Sequence, residues 1–501
     1  MQPISPFRVF ALILGVFTLL LQLSLYFPKE GIVIVEDKLK LKFPGLIDFL
    51  YYTPQEYKEI DDIIADVDTT LDEIPADTLI KHQNDTTGKL GNPSDTSTLN
   101  LDASKIKFLE FGDKKPEEVL HPFFAKLAGL SSSKKIVRII HYGDSQIEGD
   151  RMTAYIRQKL QAKFGGNGPG MIPAYNQYNT LSFVQTLSSN FKRYTAFADV
   201  SKDVKHKKYG SMASLARFTK IVADTLIPLQ EETEGWIEIG YGKQAFGNAR
   251  QFNRVRLFYG NCKSPVFMQV TNNGEVIHED SLIADGNMHS IELSFASTPE
   301  KLRYTFKGKD SPDFYGFSLD GNFGVAVDNV AMRGSSGTFL NKVDQSLMGR
   351  MYSELGVELF IMQFGGNVMP YLEDEKEAKE YANYFYSQLV ALKRIRPGAC
   401  VVVIGPSDMS LKDEGEWKTY PMLPYVVDEL KAASFKAGAA YWDMFAAMGG
   451  ENSMPTWVEK GLAVEDYTHF SPGGARFVAE MFYEAFMYEY QKYTKKGEKE
   501  K

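Results

Sequence analysis

The feature that most constrains this chain is a repeated strand-then-helix unit, broken once by a long strand-only stretch. IVRIIHY, residues 136–142, is short, β-branched and closed by Gly143, which suits a strand buried on both faces. TAYIRQKLQAKF, residues 153–164, follows with Ile156, Leu160 and Phe164 four apart on one helical face. The alternation returns late in the chain. VELFIMQFGGN, CVVVIGPSD and AAYWDMF read as strands. Between and after them, residues 375–395, LPYVVDELKAASFKAG and SPGGARFVAEMFYEAFMYEYQKY read as helices, the last opened by Ser471-Pro472. This order predicts an α/β domain, a parallel sheet with helices on both faces, whose reactive residues sit at the carboxyl ends of the strands.

From 176 to 328 helical periodicity gives way to GWIEIGYG, RVRLFYG, PVFMQVTNNG, SIELSFAS, KLRYTFKG and FYGFSLDG, with turn residues between them. That pattern predicts a β-sandwich inserted within the α/β chain. The expected organisation is therefore a membrane anchor or uncleaved signal over 1–28, a juxtamembrane segment over 29–74 and a flexible linker over 75–105. The α/β domain follows in two pieces, 106–175 and 329–494, around the insert at 176–328, with a charged tail at 495–501. The linker is assigned on composition: Asp, Thr, Ser, Asn, Gly and Pro dominate it, too polar to offset chain entropy by burial.

The net charge of −8 argues against a nucleic-acid binder, which needs a basic surface. Two cysteines in 501 residues, Cys262 and Cys400, give neither a disulfide framework nor a Cys-rich zinc site.

Three places in the α/β pattern carry chemically useful residues. Gly143-Asp144-Ser145 puts a hydroxyl at the start of a helical turn, where free N–H groups favour developing negative charge. Alone, this tripeptide reads more simply as a helix cap. Gly365-Gly366-Asn367 offers an amide that can donate to an oxyanion, though alone it reads as an ordinary turn. Asp466 lies three residues before His469 in a loop ahead of the last helix, so its carboxylate can hold Nδ1 and leave Nε2 to take a serine proton. His141 is the rival base, but it sits on the strand before Ser145 and faces the packing layer.

The order Ser, Asn, Asp-x-x-His resembles the SGNH hydrolase superfamily, the GDSL-like esterases. Gly143-Asp144-Ser145 matches the nucleophile block, with Gln146 where many members have Leu. Gly365-x-Asn367 and Asp466-x-x-His469 match the Asn and final blocks, and Gly334 in DNVAMRGSSG is the candidate for the glycine block. YGDSQIEGDR, the β-sandwich insertion and DNVAMRG look like the periplasmic bacterial peptidoglycan O-acetylesterases and O-acetyltransferases, whose inserted module looks like a carbohydrate-binding domain. The resemblance implies an SGNH fold, a flavodoxin-like parallel sheet flanked by helices. It implies Ser145 as nucleophile, His469 as base, Asp466 as its partner, and an oxyanion site from the Ser145 and Gly334 N–H groups and the Asn367 amide. No cofactor or metal is called for. The implied reaction is hydrolysis of O-acetyl groups on a cell-envelope glycan, peptidoglycan first, through an acyl-enzyme. An O-acetyltransferase working with a membrane-bound O-acyltransferase would use the same residues. The alternative from another class is a non-catalytic glycan-binding protein that stacks sugars on Trp236, Tyr241, Phe258 or Tyr259, residues that equally suit a sandwich core.

Val9 to Phe27 is uninterrupted by charge and as a helix covers about 28 Å, enough for a bilayer core. No small-x-small cleavage signature follows it, which favours an uncleaved anchor over a signal peptide. Arg8 precedes the span, and Lys29, Lys38, Lys40 and Lys42 follow it; counted alone they place the body inside. The resemblance implies export, and so a body in the bacterial periplasm held to the inner membrane.

Overall fold

The computed structural model describes residues 6–28, 32–35, 39–41, 55, 57–64, 106–198 and 200–499. The linker expected over 75–105 and most of the 29–74 segment lie outside the described residues. The chain divides into two units, Met1–Tyr57 and Lys58–Lys501. In the first, Pro6–Tyr26 forms a helix, and its Val9–Tyr26 stretch is long and apolar enough to cross a membrane. Ile32–Val35 pairs antiparallel with Leu39–Leu41.

The second unit is built on a five-stranded parallel sheet. In spatial order its strands are Gly324–Ala331, Ile136–Gly143, Val357–Gln363, Cys400–Ile404 and Ala440–Trp442. Numbered along the chain this is 2-1-3-4-5, the doubly wound flavodoxin-like order. Side-chain alternation divides the apolar strand residues between two layers. Ile140, Tyr142, Phe360, Met362, Val401 and Val403 face the helices Gln345–Leu355, Glu375–Ile395 and Leu423–Ala437. Val137, Ile139, Leu359, Ile361, Val402 and Ile404 face His121–Ala128, Thr153–Phe164 and Pro472–Lys499.

Between the first two strands along the chain comes a β-sandwich of two antiparallel sheets. Phe183, Ile237, Leu257, Met268, Phe306, Phe314 and Phe317 fill the space between them. Arg138, fully buried on the Ile136–Gly143 strand, fixes the sandwich to the sheet: it pairs with Asp328 on the neighbouring strand and with Asp320 at the end of a sandwich strand. Removing one member of such a buried pair leaves an uncompensated charge and costs about 3–5 kcal/mol.

Three boundaries differ from expectation. Gly324–Ala331 pairs along its whole length with Ile136–Gly143, so the α/β domain resumes before residue 328. Gly170–Ile172 pairs with Phe317–Leu319, so the sandwich begins before residue 176. The last helix runs to Lys499, carrying most of the expected tail. Part of the expected juxtamembrane segment also belongs to the globular unit: Ile60 is buried in the second apolar layer, and the Lys58 carbonyl accepts from Thr456 Oγ1 at 2.7 Å. Phe258 and Tyr259 are core residues, which removes them as exposed sugar platforms. Trp236 stays partly exposed, with the Arg303 guanidinium 4.2 Å from its ring centroid. Cys262 and Cys400 are both free and buried.

Candidate active site

The strand order reverses between Ile136–Gly143 and Val357–Gln363, and a crevice opens at their carboxyl ends, where doubly wound sheets bind ligands. Gly143 and Gln363 stand opposite each other in register, so the segments that follow them start at the same level. Gly143 leaves little room for a side chain: a Cβ there would meet Ile147 Cδ1 at 2.8 Å and the Gln363 carbonyl at 3.2 Å.

Ser145 opens a short 3-10 turn, Ser145–Asp150, with Asp144 as its cap: Oδ1 accepts from the Gln146 N–H at 2.9 Å. A turn's first N–H groups have no partner within it, so the Ser145 N–H belongs to the set available to a ligand. Ser145 Oγ lies 2.8 Å from His469 Nε2, and His469 Nδ1 lies 2.7 Å from Asp466 Oδ2. Asp466 Oδ1 accepts from the backbone N–H groups of Thr468 at 3.0 Å and His469 at 2.9 Å. Partial burial raises the Asp466 carboxyl, but the bonds from the His469 backbone and imidazole and the Thr468 N–H outweigh it and hold the group below its ordinary value. The carboxylate is thus ionised and faces the ring nitrogen opposite the serine.

Asn367 follows the third strand and lines the same cleft as Ser145 and His469, about 260 Å³ in volume. One of its two amide protons goes to the Ser335 carbonyl at 3.1 Å, which fixes the amide's direction and leaves the second for a ligand. Gly334 precedes Ser335 in the loop after Gly324–Ala331, at φ +75°, and is not among the cleft-lining residues. The structure brings Ser145, His469, Asp466 and Asn367 together; Gly334 adjoins them through the Ser335 carbonyl.

His141 is fully buried. Its Nε2 lies 3.0 Å from Gln363 Oε1 and its Nδ1 2.9 Å from Thr153 Oγ1, and burial lowers its pKa to about 4. With both nitrogens engaged by Gln363 and Thr153 and no part in the cleft lining, it is a packing residue. Asp144 is also buried beside the site, and desolvation, only partly offset by the Gln146 N–H and the nearby His469, raises its carboxyl to about 6.

Sequence reasoning missed the residues that hold the two loops in register. Gln146 Nε2 donates to the Thr468 carbonyl at 2.6 Å and to Ser407 Oγ at 3.1 Å. Arg151 donates to the Ser145 carbonyl at 2.7 Å and to the Phe470 carbonyl at 3.1 Å. Gln146, noted only as a departure from Leu, is the one available signal. A further support is the hairpin Ser410–Asp413/Glu416–Thr419, which also went unread. Its Ser410 N–H donates to the Tyr467 carbonyl at 2.9 Å, and its Trp417 stacks on Tyr467 with ring centroids 3.7 Å apart. Tyr467 is at φ +53°, an unfavourable conformation for a bulky side chain. The hairpin holds it there, between Asp466 and His469.

Fold and cleft together define the class of architecture: an SGNH-type fold, a flavodoxin-like parallel sheet flanked by helices, with an inserted β-sandwich. The chain is similar to a solved structure of a peptidoglycan O-acetylesterase, with a TM-score of 0.57 and 19% identity over 74% of this chain and 96% of that one. At that identity the likeness shows the fold. Weaker likenesses are to a family two carbohydrate esterase from Clostridium thermocellum (TM-score 0.21, 10% identity, 58% of this chain and 97% of that one). Another is to a Corynascus thermopiles carbohydrate esterase family 2 enzyme with a carbohydrate-binding domain (TM-score 0.23, 13% identity, 52% and 96%). No family model and no curated protein matches the chain.

Proposed function

We propose that this chain is a serine esterase that removes O-acetyl groups from a cell-envelope carbohydrate, peptidoglycan first, through an acyl-enzyme. The observation that carries the reading is the continuous Ser145–His469–Asp466 relay, 2.8 and 2.7 Å, opening onto a cleft that Asn367 also lines. His469 Nε2 takes the Ser145 proton as Oγ attacks the ester carbonyl carbon. Asp466 stabilises the imidazolium that forms. The oxyanion is met by the Ser145 N–H and the Asn367 amide, the Gly334 N–H joining them only if its loop moves toward the cleft. The tetrahedral intermediate collapses, the sugar oxygen leaves with the proton from His469, and Ser145 stays acetylated. Water, deprotonated by His469, then releases acetate.

The Val9–Tyr26 helix supports anchoring to the inner membrane, with the Lys58–Lys501 unit in the bacterial periplasm. A sugar hydroxyl in place of water makes the same site a transferase fed by a membrane-bound O-acyltransferase. The test is full-length protein in detergent, incubated with acetylated peptidoglycan. Acetate release that Ser145→Ala abolishes supports the esterase. Labelled acetyl appearing on de-acetylated glycan, without net release, replaces it with the transferase.

A further inference from the structure

A second, smaller cavity lies between the nucleophile turn and the start of the β-sandwich. One wall is Glu148 to Asp150; the other includes Gln177, Tyr178 and Arg193 of the sandwich. Its volume is about 50 Å³. That is room for a small polar group such as a carboxylate, or for a few waters. Ser145 and Glu148 are three residues apart, so their α-carbons are separated by at most about 11 Å. The cavity therefore neighbours the cleft.

Its lining carries two carboxylates, Glu148 and Asp150, and two guanidiniums, Arg157 and Arg193, of which only Asp150 and Arg157 pair with each other. Both Asp150 oxygens are taken by Arg157, at 2.7 and 3.1 Å, and one also accepts from Ser182. Glu148 Oε1 faces Arg333 at 3.5 Å. Arg193 is left over. Its Nη1 donates to Gln177 Oε1 at 3.1 Å and its guanidinium lies 5.7 Å from the Phe197 ring centroid, but its Nε is buried without a hydrogen-bond partner. Burial lowers its pKa, and the groups acting on its charge are the hydroxyls of Tyr178 and Tyr175, not carboxylates. Glu148 Oε2 is likewise buried without a partner. Buried donors and acceptors left this way are costly, and two of them on residues that line one cavity point to a ligand that supplies what they lack.

We propose that this cavity is a subsite for a carboxylate on the glycan, beside the sugar whose acetyl ester meets Ser145, and that Arg193 receives it. The ligand also presents an O–H or N–H donor next to that carboxylate, for Glu148 Oε2. A uronate ring and an amino-acid substituent share this chemistry. The proposal rests on the esterase reading and adds substrate selection: the sandwich helps choose acidic polymers through a residue on its Lys192–Thr195 strand.

The experiment measures kcat/KM of the full-length protein on four polymers. These are acetylated peptidoglycan, the same after carbodiimide amidation of its carboxylates, acetylated glucuronoxylan and neutral acetylated xylan. Wild type is expected to favour a carboxylate-bearing polymer at least tenfold over its neutral counterpart. Preference for peptidoglycan assigns the amino-acid source, and preference for glucuronoxylan the uronate. Arg193→Met, normalised to its own aryl acetate turnover, is expected to lose the preference, and Arg193→Lys to recover part of it. Amidation tests the same point on wild type without any variant. Equal kcat/KM on acidic and neutral polymers, or a preference that survives both amidation and Arg193→Met, overturns the subsite and leaves the esterase standing. Absence of acetate release from every polymer defeats the esterase reading and the subsite with it.

Discussion

Replacing Asp466 by Asn probes the relay at its least protected member. The Asn side-chain oxygen can still accept from the backbone N–H groups of Thr468 and His469, as Oδ1 does at 3.0 and 2.9 Å, so the loop keeps its shape. The other position, where Oδ2 meets His469 Nδ1 at 2.7 Å, becomes an NH2 group. Two donors cannot face each other, so the imidazole moves its proton to Nε2, the nitrogen beside Ser145 Oγ, and can no longer accept the serine proton. For a fully buried aspartate this fault costs about 10⁴-fold in kcat. The Asp466 side chain is 49% exposed, so water replaces part of its effect on the imidazolium. The expected loss is therefore smaller, about a hundred- to a thousandfold, or about 2.7–4 kcal/mol in the barrier. Steady-state hydrolysis of 4-nitrophenyl acetate reads it, with circular dichroism to verify the fold. A folded Asp466→Asn enzyme within threefold of wild-type kcat would refute the reasoning, because it would mean that His469 does not depend on this carboxylate for its tautomer.

The remaining expectations concern the groups around the relay. Asn367→Ala should lower kcat by about a hundred- to a thousandfold with KM nearly constant, as for loss of one oxyanion donor; a change confined to KM would make Asn367 a binding residue. Asp144 has a carboxyl raised from 3.8 to about 6 by burial, so its neutral form suits the fold. Its contribution is fully present below about pH 3.8 and lost as the pH rises through about 6, a span worth at most about 3 kcal/mol. Asp144→Asn keeps an acceptor for the Gln146 N–H, so urea denaturation should show it gaining stability over wild type between pH 4 and 7. A constant difference across that range would contradict this. Arg151→Met removes three charge-assisted bonds, to the Glu148, Ser145 and Phe470 carbonyls, and should destabilise the protein by about 2–4 kcal/mol while lowering kcat; an unchanged urea midpoint would show the clamp to be idle.

How legible each part was follows from the range of its interactions. The α/β sheet could be read because its strands are buried on both faces and two of them lead into glycines, Gly143 and Gly365. Ser145, Asn367 and the Asp466–His469 pair stood out because each follows a strand or precedes a helix, where the backbone exposes a side chain. The strand Gly324–Ala331 was partly assigned to the sandwich because GVAVDNVA follows a DGNFG turn like those between sandwich strands, and nothing local reveals a parallel partner. The roles of Gln146 and Arg151 are hidden for a related reason: they act on carbonyls more than three hundred residues away in sequence. Gly334 was reached only through the resemblance, and the loop it occupies has no periodicity to read.

The central claim is that Ser145 becomes covalently acylated with His469 as its base, and a fluorophosphonate probe tests it most directly. Peptide mass spectrometry should find the adduct on Ser145 of the native protein, none on Ser145→Ala, and labelling slowed at least a hundredfold in His469→Ala. A folded native protein that leaves Ser145 unmodified, or that labels equally fast without His469, would contradict the account.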